Sequence, residues 1–223
     1  MRRCEWIGLI LVLLILFLDQ WLKFWVKTHM SLGEEIALLG NWAKLYFVEN
    51  FGIAFGLKPG NEIVKLVLSL GRILSVGAFC YLAHWVARSP QVPKGIYYAT
   101  VGVIAGALGN VIDGTFYGQL FSSSDGYTLV GEELVPAVAT FLPEGGGYAP
   151  LFQGKVVDMF YFPIIDFVLP EGMPFWGGMR FVFFSPIFNI ADVVISVSLF
   201  YLLIFHWRYF WKLTLKPKNN TVR

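Results

Sequence analysis

Three aspartates lie within long apolar runs of this sequence, where a charged side chain is costly. They are Asp19, Asp113 and Asp192. One charge at the centre of a bilayer costs roughly 2.5–3.5 kcal/mol or more, so ionisable residues within a membrane are functional candidates by default. A helical rise of about 1.5 Å per residue places each aspartate toward the same side of the membrane. The sequence therefore predicts that carboxylates from three helices meet at a similar depth.

Helical spacing places an asparagine beside two of these aspartates. Asn110 lies three residues before Asp113, and Asn189 lies three residues before Asp192, so each pair shares a helix face. On a structural interpretation, the asparagines form hydrogen bonds between helices and hold the bundle together. That interpretation is compatible with a functional site nearby.

A lysine accompanies the first aspartate. Asp19 and Lys23 are four residues apart with the acid first, which is the favourable order for an ion pair on a helix. Two interpretations stay open, namely a structural salt bridge that lets the helix insert and a part of the site itself. Two aspartates brought close cannot both ionise cheaply and share one proton. One then acts as base on a water while the other donates a proton, which can hydrolyse a peptide bond.

Metal and nucleophilic chemistry have little support. The three histidines are scattered at or beyond the ends of the apolar runs, and no His-x-x-x-His or Cys-x-x-Cys spacing occurs. A Ser–His–Asp arrangement lacks a histidine at the right depth. Cys4 and Cys80 are too few for a disulfide framework and are interpreted as inert thiols. No metal or organic cofactor is expected.

The elements that must position these residues are membrane helices. A chain that is 57% apolar and only 14% charged is too apolar for an ordinary soluble domain, and a net charge of +2 gives no reason to expect nucleic-acid binding. Four runs reach the roughly 20 residues that a membrane span requires. We predict a single membrane domain over 1–223, with transmembrane helices at 6–26, 63–86, 96–116 and 187–207 and outer segments at 27–62 and 117–186.

Basic residues set the predicted orientation. They fall on one side of a four-span chain, at Arg2, Arg3, Arg88, Lys94, Arg208, Lys212, Lys216, Lys218 and Arg223. That side is expected to be the cytoplasm, with both termini inside. A cleaved secretory signal is the alternative for the first run, but no small-residue cleavage pattern follows it. Alternating stretches at 44–48 and 180–184 predict short strands, so the expected fold is an all-α membrane protein with a small β-rich outer subdomain.

Five short motifs occur in an order that resembles the lipoprotein signal peptidases (signal peptidase II). They are DQWLK at 19–23, ENFGIAFG at 49–56, GALGNVID at 106–113, KVVDMF at 155–160 and FNIAD at 188–192. The resemblance covers nearly the whole chain and implies an intramembrane aspartic endopeptidase whose catalytic pair is Asp158 and Asp192. From the residues alone Asp113 ranks ahead of Asp158, because Asp113 lies on a predicted helix.

The same resemblance implies a substrate and a location. The substrate is a bacterial prolipoprotein modified with diacylglycerol and cut before its lipidated cysteine. The enzyme is expected to act as a monomer in the inner membrane, in contact with lipid, with its site at the outer (periplasmic) leaflet. Residues expected to bind substrate or support the site are Asp19, Lys23, Asn50, Gly52, Asn110, Asp113 and Asn189.

The sequence departs from the family pattern in two places. Gly114 stands where the family usually has arginine, so Arg72 or Arg180 is expected to supply that charge. A long insertion at 121–155 is either a surface elaboration or a lid over the site.

Two other functions stay open. A small proton-coupled transporter could use the three intramembrane aspartates as a relay, although a relay distributes acids through the depth of the membrane, whereas these cluster toward one side. A non-catalytic assembly protein leaves the aspartate pair unexplained.

Overall fold

The computed structural model describes residues 3–51 and 62–215, and long helices dominate it. The long helices are α1 (Arg3–His29), α2 (Glu62–Arg88), α3 (Lys94–Ile112) and α5 (Ile190–Leu215). A π-helical turn (Asp113–Tyr117) connects α3 to the short α4 (Gly118–Leu120). Within these described residues, four helical stretches are long and apolar enough to cross a membrane, namely Arg3–His29, Ile63–Arg88, Lys94–Leu120 and Ile190–Trp211. The prediction of four membrane helices is confirmed.

The third span is the central helix of the bundle. In its most apolar stretch 61% of the residues are buried, against 17% or fewer in the other three, whose outer faces are therefore left for lipid. Glycines let its neighbours approach closely. A Cβ on Gly106 would lie 2.5 Å from the carbonyl oxygen of Ala191, and one on Gly109 would lie 2.6 Å from an Asp19 carboxylate oxygen. Both α1 and α5 thus contact α3 beside Asn110.

A four-stranded antiparallel sheet packs against the last turns of α1. Its strands, in spatial order, are β1 (Glu35–Leu39), β2 (Ala43–Asn50), β5 (Val156–Tyr161) and β8 (Ile187–Phe188). Val26 of α1 and Met30, which directly follows α1, lie in one buried apolar cluster with Phe47 of β2 and Met159 of β5. Burial of these large side chains fixes the sheet to the helix that carries Asp19 and Lys23.

The register of β2 and β5 brings Asn50 near Asp158. Val48 pairs with Asp158, and Asn50 pairs with Val156. Because alternate residues of a strand share a face, Asn50 and Asp158 lie on the same face of the sheet. Glu49 lies on the opposite face.

Two separate hairpins complete the described β structure. One pairs β3 (Tyr127–Val130) with β4 (Glu133–Pro136) inside the insertion, and the other pairs β6 (Ile165–Val168) with β7 (Arg180–Phe183). The stretches predicted as strands at 44–48 and 180–184 lie in β2 and in and just after β7. Four apolar helices with small sheets agree with the predicted fold class.

The helix of the fourth span, α5, begins at Ile190, whereas the sequence predicted that this span starts at 187. Ile187 and Phe188 instead form β8, which pairs with β5. Asp192 therefore lies in the first helical turn, at a transition from strand to helix, and not deeper along the span.

Candidate active site

A fully buried lysine joins two helices at the centre of the site. Lys23 Nζ lies 2.9 Å from Asp19 Oδ2, 2.8 Å from Asp113 Oδ2 and 2.9 Å from Asn110 Oδ1. The three charged side chains are at most 1% exposed. Buried charges are tolerated when each is paired and hydrogen-bonded, and this lysine bonds both carboxylates. The predicted pairing of Asp19 with Lys23 is therefore present, and Asp113 belongs to the same cluster.

The two carboxylates of this cluster also hold the backbone on either side of the site. Asp113 Oδ2 accepts the Val157 backbone N–H at 3.3 Å, and Asp19 Oδ1 accepts the Ala191 backbone N–H at 2.9 Å. Val157 directly precedes Asp158 in β5, and Ala191 directly precedes the aspartate of α5. The ion-paired cluster thus fixes the chain immediately before each predicted catalytic residue.

A π-helical turn brings Asp113 to this position. Turns of this kind are rare and are frequent at functional sites. Gln20, which the sequence analysis did not single out, donates from Nε2 to Asp113 Oδ1 at 2.9 Å, and the Tyr117 hydroxyl donates to Gln20 Oε1 at 3.2 Å. In the sequence, Gln20 could have been recognised as a polar residue directly beside Asp19 in an apolar run.

Asp158 lies on β5 with its carboxyl group largely buried, at 5% exposure. Asn189 Nδ2 donates to Oδ1 at 2.7 Å, and Asn50 Nδ2 lies 3.5 Å from Oδ2. Burial, followed by the neighbouring Asp192 carboxylate, raises the pKa of Asp158 to about 7, against a smaller lowering by these hydrogen bonds. This carboxyl is therefore close to its titration midpoint at neutral pH.

Asp192 and Asn189 cap the start of α5 reciprocally. Asn189 Oδ1 accepts the Asp192 backbone N–H at 3.0 Å, and Asp192 Oδ2 accepts the Asn189 backbone N–H at 3.3 Å. This is the arrangement of a capping box, in which two residues three apart satisfy each other's backbone N–H groups. Asn110 Nδ2 also donates to Asp192 Oδ1, at 2.9 Å. The three-residue spacing seen in the sequence serves the helix end as well as the site.

Asn189 connects the two predicted catalytic aspartates. Its side-chain amide donates to Asp158 and its backbone N–H donates to Asp192, so both carboxylates lie within hydrogen-bond distance of one residue. Its Nδ2 also lies 3.2 Å from Asn110 Oδ1. The asparagines link α3 to α5, and they hold the carboxylates at the same time.

Arg72 of α2 brings positive charge to the cluster. Its guanidinium interacts electrostatically with Asp113, Asp192 and Asp158. Its Nη2 donates to the Phe51 carbonyl oxygen at 3.2 Å. The guanidinium thus lies between Phe51, the residue after Asn50, and the three carboxylates.

Gly114 faces this guanidinium. A Cβ at Gly114 would lie 3.3 Å from Arg72 Nη1, so a longer side chain at that position would occupy the space of the arginine. Arg180 lies elsewhere, on β7, where its Nε donates to Asp166 Oδ1 at 2.7 Å. Of the two arginines considered from the sequence, Arg72 is the one beside the site.

A cleft of about 470 Å³ opens between α2, α3 and α5 next to this arginine. Arg72 and Asn110 line it together with apolar side chains that include Val67, Leu68 and Ile195. A ligand with an apolar body and a polar end fits this lining. A larger cavity of about 890 Å³ lies near the start of α1 and the end of α2, away from the residues described above.

A second buried ion network joins the insertion to the sheet. Glu49, directly before Asn50, pairs with Lys27 of α1 and, at 3.0 Å, with Lys155. Lys27 also donates to Ser124 Oγ at 3.0 Å. The insertion is therefore fixed to the strand that carries Asn50. In the sequence, this network could have been found from Lys27, a second lysine one helical turn after Lys23 on the same helix face.

The predicted site residues lie in one connected cluster, with one exception. The cluster contains Asp19, Lys23, Asn50, Asn110, Asp113, Asp158, Asn189 and Asp192. Gly52 lies outside the described residues. Within residues 3–51 and 62–215, no group of three or more His, Cys, Asp or Glu side chains is arranged to hold a metal ion.

Fold and site together define a multi-pass membrane protein with a buried carboxylate cluster at one end of its bundle. The profile of the family described as signal peptidase (SPase) II matches residues 11–208. The chain belongs to this family, as its five motifs predicted.

Relatives and solved structures agree with this membership. The lipoprotein signal peptidase of Porphyromonas gingivalis is 44% identical over 194 residues, which cover 87% of this chain and 80% of that protein. The lipoprotein signal peptidase of Amoebophilus asiaticus is 32% identical over 189 residues, covering 83% and 71%. A solved structure described as a bacterial membrane enzyme shares the fold, with a TM-score of 0.53 at 20% identity over 94% of this chain and 93% of that one.

The central position of Lys23 makes a prediction for stability. We predict that Lys23→Met lowers the free energy of unfolding by about 3–5 kcal/mol, because it leaves two buried carboxylates without their counter-charge. Thermal unfolding of the purified protein in detergent measures the change. Lys44→Met is the matched control, since it breaks a partly exposed ion pair with Glu35 and is expected to cost about 0–1 kcal/mol. Equal losses for the two substitutions would contradict the central role of Lys23.

Proposed function

We propose that this chain is an intramembrane aspartic endopeptidase that removes signal peptides from diacylglyceryl-modified prolipoproteins by cutting before the lipidated cysteine. Membership of the signal peptidase II family, with relatives named lipoprotein signal peptidases, supports this substrate class. We assign the catalytic pair to Asp158 and Asp192. The observation that carries the assignment is that both carboxylates hydrogen-bond to Asn189, one of them buried and the other partly exposed.

The different surroundings of the two aspartates suit different roles. Asp158, with its raised pKa, holds the proton that the pair shares, and Asp192 takes a proton from the attacking water. The water oxygen bonds to the scissile carbonyl carbon while Asp158 gives its proton to the carbonyl oxygen. When the tetrahedral intermediate collapses, the proton on Asp192 passes to the leaving nitrogen and Asp158 recovers its own. No proton is gained or lost over the cycle.

Asp19, Lys23 and Asp113 are positioning residues in this proposal. Their ion pairs hold the two carboxylates in place, directed at the backbone N–H groups before the catalytic pair. A relay that carries protons across the membrane finds less support, since one buried lysine already pairs with two of its three aspartates. Asn50 and Asn189 donate hydrogen bonds that orient the Asp158 carboxyl.

We propose that the site lies at the outer (periplasmic) leaflet of the inner membrane, with both termini in the cytoplasm. The connection between α2 and α3 carries Arg88 and Lys94 at the end of the bundle opposite to the carboxylate cluster. Positive charge favours the cytoplasmic side. The cleft between α2, α3 and α5 opens toward lipid and offers a lateral route for a substrate that bears acyl chains.

The catalytic pair is tested by carboxylate-to-amide substitutions. We predict that Asp158→Asn and Asp192→Asn each abolish cleavage of a lipidated prolipoprotein peptide by the purified protein, because an amide cannot hold and transfer the shared proton. Glu35→Gln makes the same change on an exposed strand and is expected to keep full activity. Unfolding temperatures show that each variant is folded. Full cleavage by either aspartate variant would remove the assignment.

The raised pKa of Asp158 predicts a pH dependence. Its folded-state pKa lies above the ordinary value of 3.8, so the proton is retained up to about pH 7 and is lost above it. We therefore expect kcat/KM to fall as the pH rises through about 7, with the apparent value belonging to the pair. The rate is measured across this range while circular dichroism follows the fold. A rate that rises through the same interval would contradict a retained proton.

We propose that Arg72 supplies positive charge for the developing negative charge on the scissile carbonyl. Arg72→Gln is then expected to lower kcat/KM on the order of 10-fold or more. Because Gly114 faces the guanidinium, adding Gly114→Arg to that variant is predicted to restore part of the rate.

Two controls accompany the Arg72 prediction. Gly114→Met in the Arg72→Gln background adds length without charge and is expected to restore nothing. Gly114→Arg alone crowds the guanidinium and is expected to lower the rate. Equal rates for the methionine and arginine double variants would show that charge at this place is not what the reaction needs.

A further inference from the structure

One face of the β6–β7 hairpin (residues 165–183) is wholly apolar along its strands. Ile165 pairs with Phe183, and Phe167 pairs with Phe181. Directly opposite residues of an antiparallel pair point to the same face, and so do alternate residues of one strand. These four side chains are 45–53% exposed, so a continuous apolar face is open to the surroundings.

The charges of the strands lie on the opposite face. Asp166 and Arg180 form a two-contact ion pair there, with Arg180 Nε donating to Asp166 Oδ1 at 2.7 Å. The pair neutralises both charges of the two strands. A ribbon with apolar side chains below and a neutralised ion pair above suits a surface that is apolar on one side and aqueous on the other.

The loop at the end of the hairpin (residues 169–179) is mostly apolar and carries one carboxylate, Glu171. Phe175 is 95% exposed and Trp176 is 61% exposed. Phe175 has φ of 70°, a left-handed backbone conformation that a bulky residue rarely adopts. Tryptophan is enriched where membrane and water meet.

Hydrogen bonds within the loop satisfy part of its backbone. The Leu169 N–H donates to the Met179 carbonyl at 2.9 Å, and the Gly178 N–H donates to the Leu169 carbonyl at 3.0 Å. The Gly177 N–H donates to the Met173 carbonyl at 3.1 Å. A backbone that enters an apolar phase must satisfy its polar groups internally, and these hydrogen bonds do so for part of the loop.

We propose that the β6–β7 hairpin lies in the bilayer leaflet that adjoins the active site, with its apolar face and the loop around Phe175 in contact with lipid. The hairpin joins β5 to β8, and β8 leads directly into the fourth span, so it is continuous with the lipid-facing surface of the bundle. Interfacial elements of this kind bury their apolar face about 5–10 Å into the boundary between headgroups and acyl chains. The hairpin thereby holds β5 and the start of α5 at a fixed height in the membrane. The inference rests on membrane topology and not on the catalytic assignment.

The β3–β4 hairpin gives a matched comparison. Tyr127, Leu129 and Leu134 also expose 67–71% of their surface on one face. Its turn and the first residue of β4, however, carry two adjacent carboxylates, Glu132 and Glu133, whereas the longer loop of the other hairpin carries Phe175 and Trp176 with a single carboxylate, Glu171. Because immersion of carboxylates is costly, this turn is expected to stay in water.

Site-specific fluorescence tests the proposal on the full chain. A single cysteine, introduced as Phe175→Cys or Glu132→Cys in a Cys4→Ser and Cys80→Ser background, carries an environment-sensitive label. The protein is reconstituted at low density in vesicles of phosphatidylcholine and phosphatidylglycerol. At position 175 we expect a blue-shifted emission, quenching by nitroxide-labelled lipid and protection from aqueous iodide. At position 132 we expect the reverse, and equal behaviour at both positions would overturn the proposal.

A titration of protein density separates lipid from a protein partner. Lipid quenching at position 175 that is independent of the protein-to-lipid ratio supports burial in the leaflet. Shielding that is present only at high protein density would assign the face to a second copy of the chain and overturn the proposal. Retained cleavage by the labelled proteins shows that the fold survives labelling, and lipid contact is read out separately from activity.

Discussion

The whole site depends on one ammonium group buried between two carboxylates. Lys23 pairs with both Asp19 and Asp113 inside the bundle, where an unpaired charge would be costly to bury. Each carboxylate then accepts a backbone N–H from the residue directly before one of the proposed catalytic aspartates. Because both bonds start from the same ion-paired cluster, the strand and the helix that carry the catalytic pair are held relative to each other as well as to α1 and α3.

This cluster also orients the amides that contact the catalytic pair. Lys23 can only donate, so Asn110 must present its oxygen to the lysine and its NH₂ group to Asp192. Asn189 is fixed in the same way, since its oxygen accepts the backbone N–H of Asp192 and its NH₂ group is left for Asp158. Neutral amide groups thus make these direct hydrogen bonds to both carboxylates, and the Arg72 guanidinium acts on them through its electrostatic interaction. A full charge in place of these amides would favour ionisation of both acids more strongly, whereas the proposed chemistry requires that the pair keep one proton.

The sequence predicted the parts of this arrangement that follow from local patterns. Apolar runs of sufficient length gave the four spans, and the cost of a charge in such a run marked Asp19 and Asp192. Asp158 was accessible only through the family resemblance. Its depth depends on the pairing of β5 with β2 and on the bond from Asp113 to the preceding N–H, and neither has a local signature. Arg72 was one of two arginines considered for the missing family arginine, but its position beside Gly114 depends on how α2 packs against α3.

The position of Asp192 shows why stability and the proposed catalysis depend on the same bonds. The first N–H groups of a helix have no partner within the helix, and unsatisfied N–H groups are costly where water is scarce. In α5, two of these groups are satisfied by Asp19 and Asn189, which also set the height of the Asp192 carboxylate. If the helix began one turn earlier, the Asp192 carboxylate would lie deeper along it. The first N–H groups of the helix would then no longer lie beside Asp19 and Asn189. The strand-to-helix transition at Asn189 therefore solves the problem of starting a helix at the edge of a membrane and, by the same hydrogen bonds, presents an acid to Asp158.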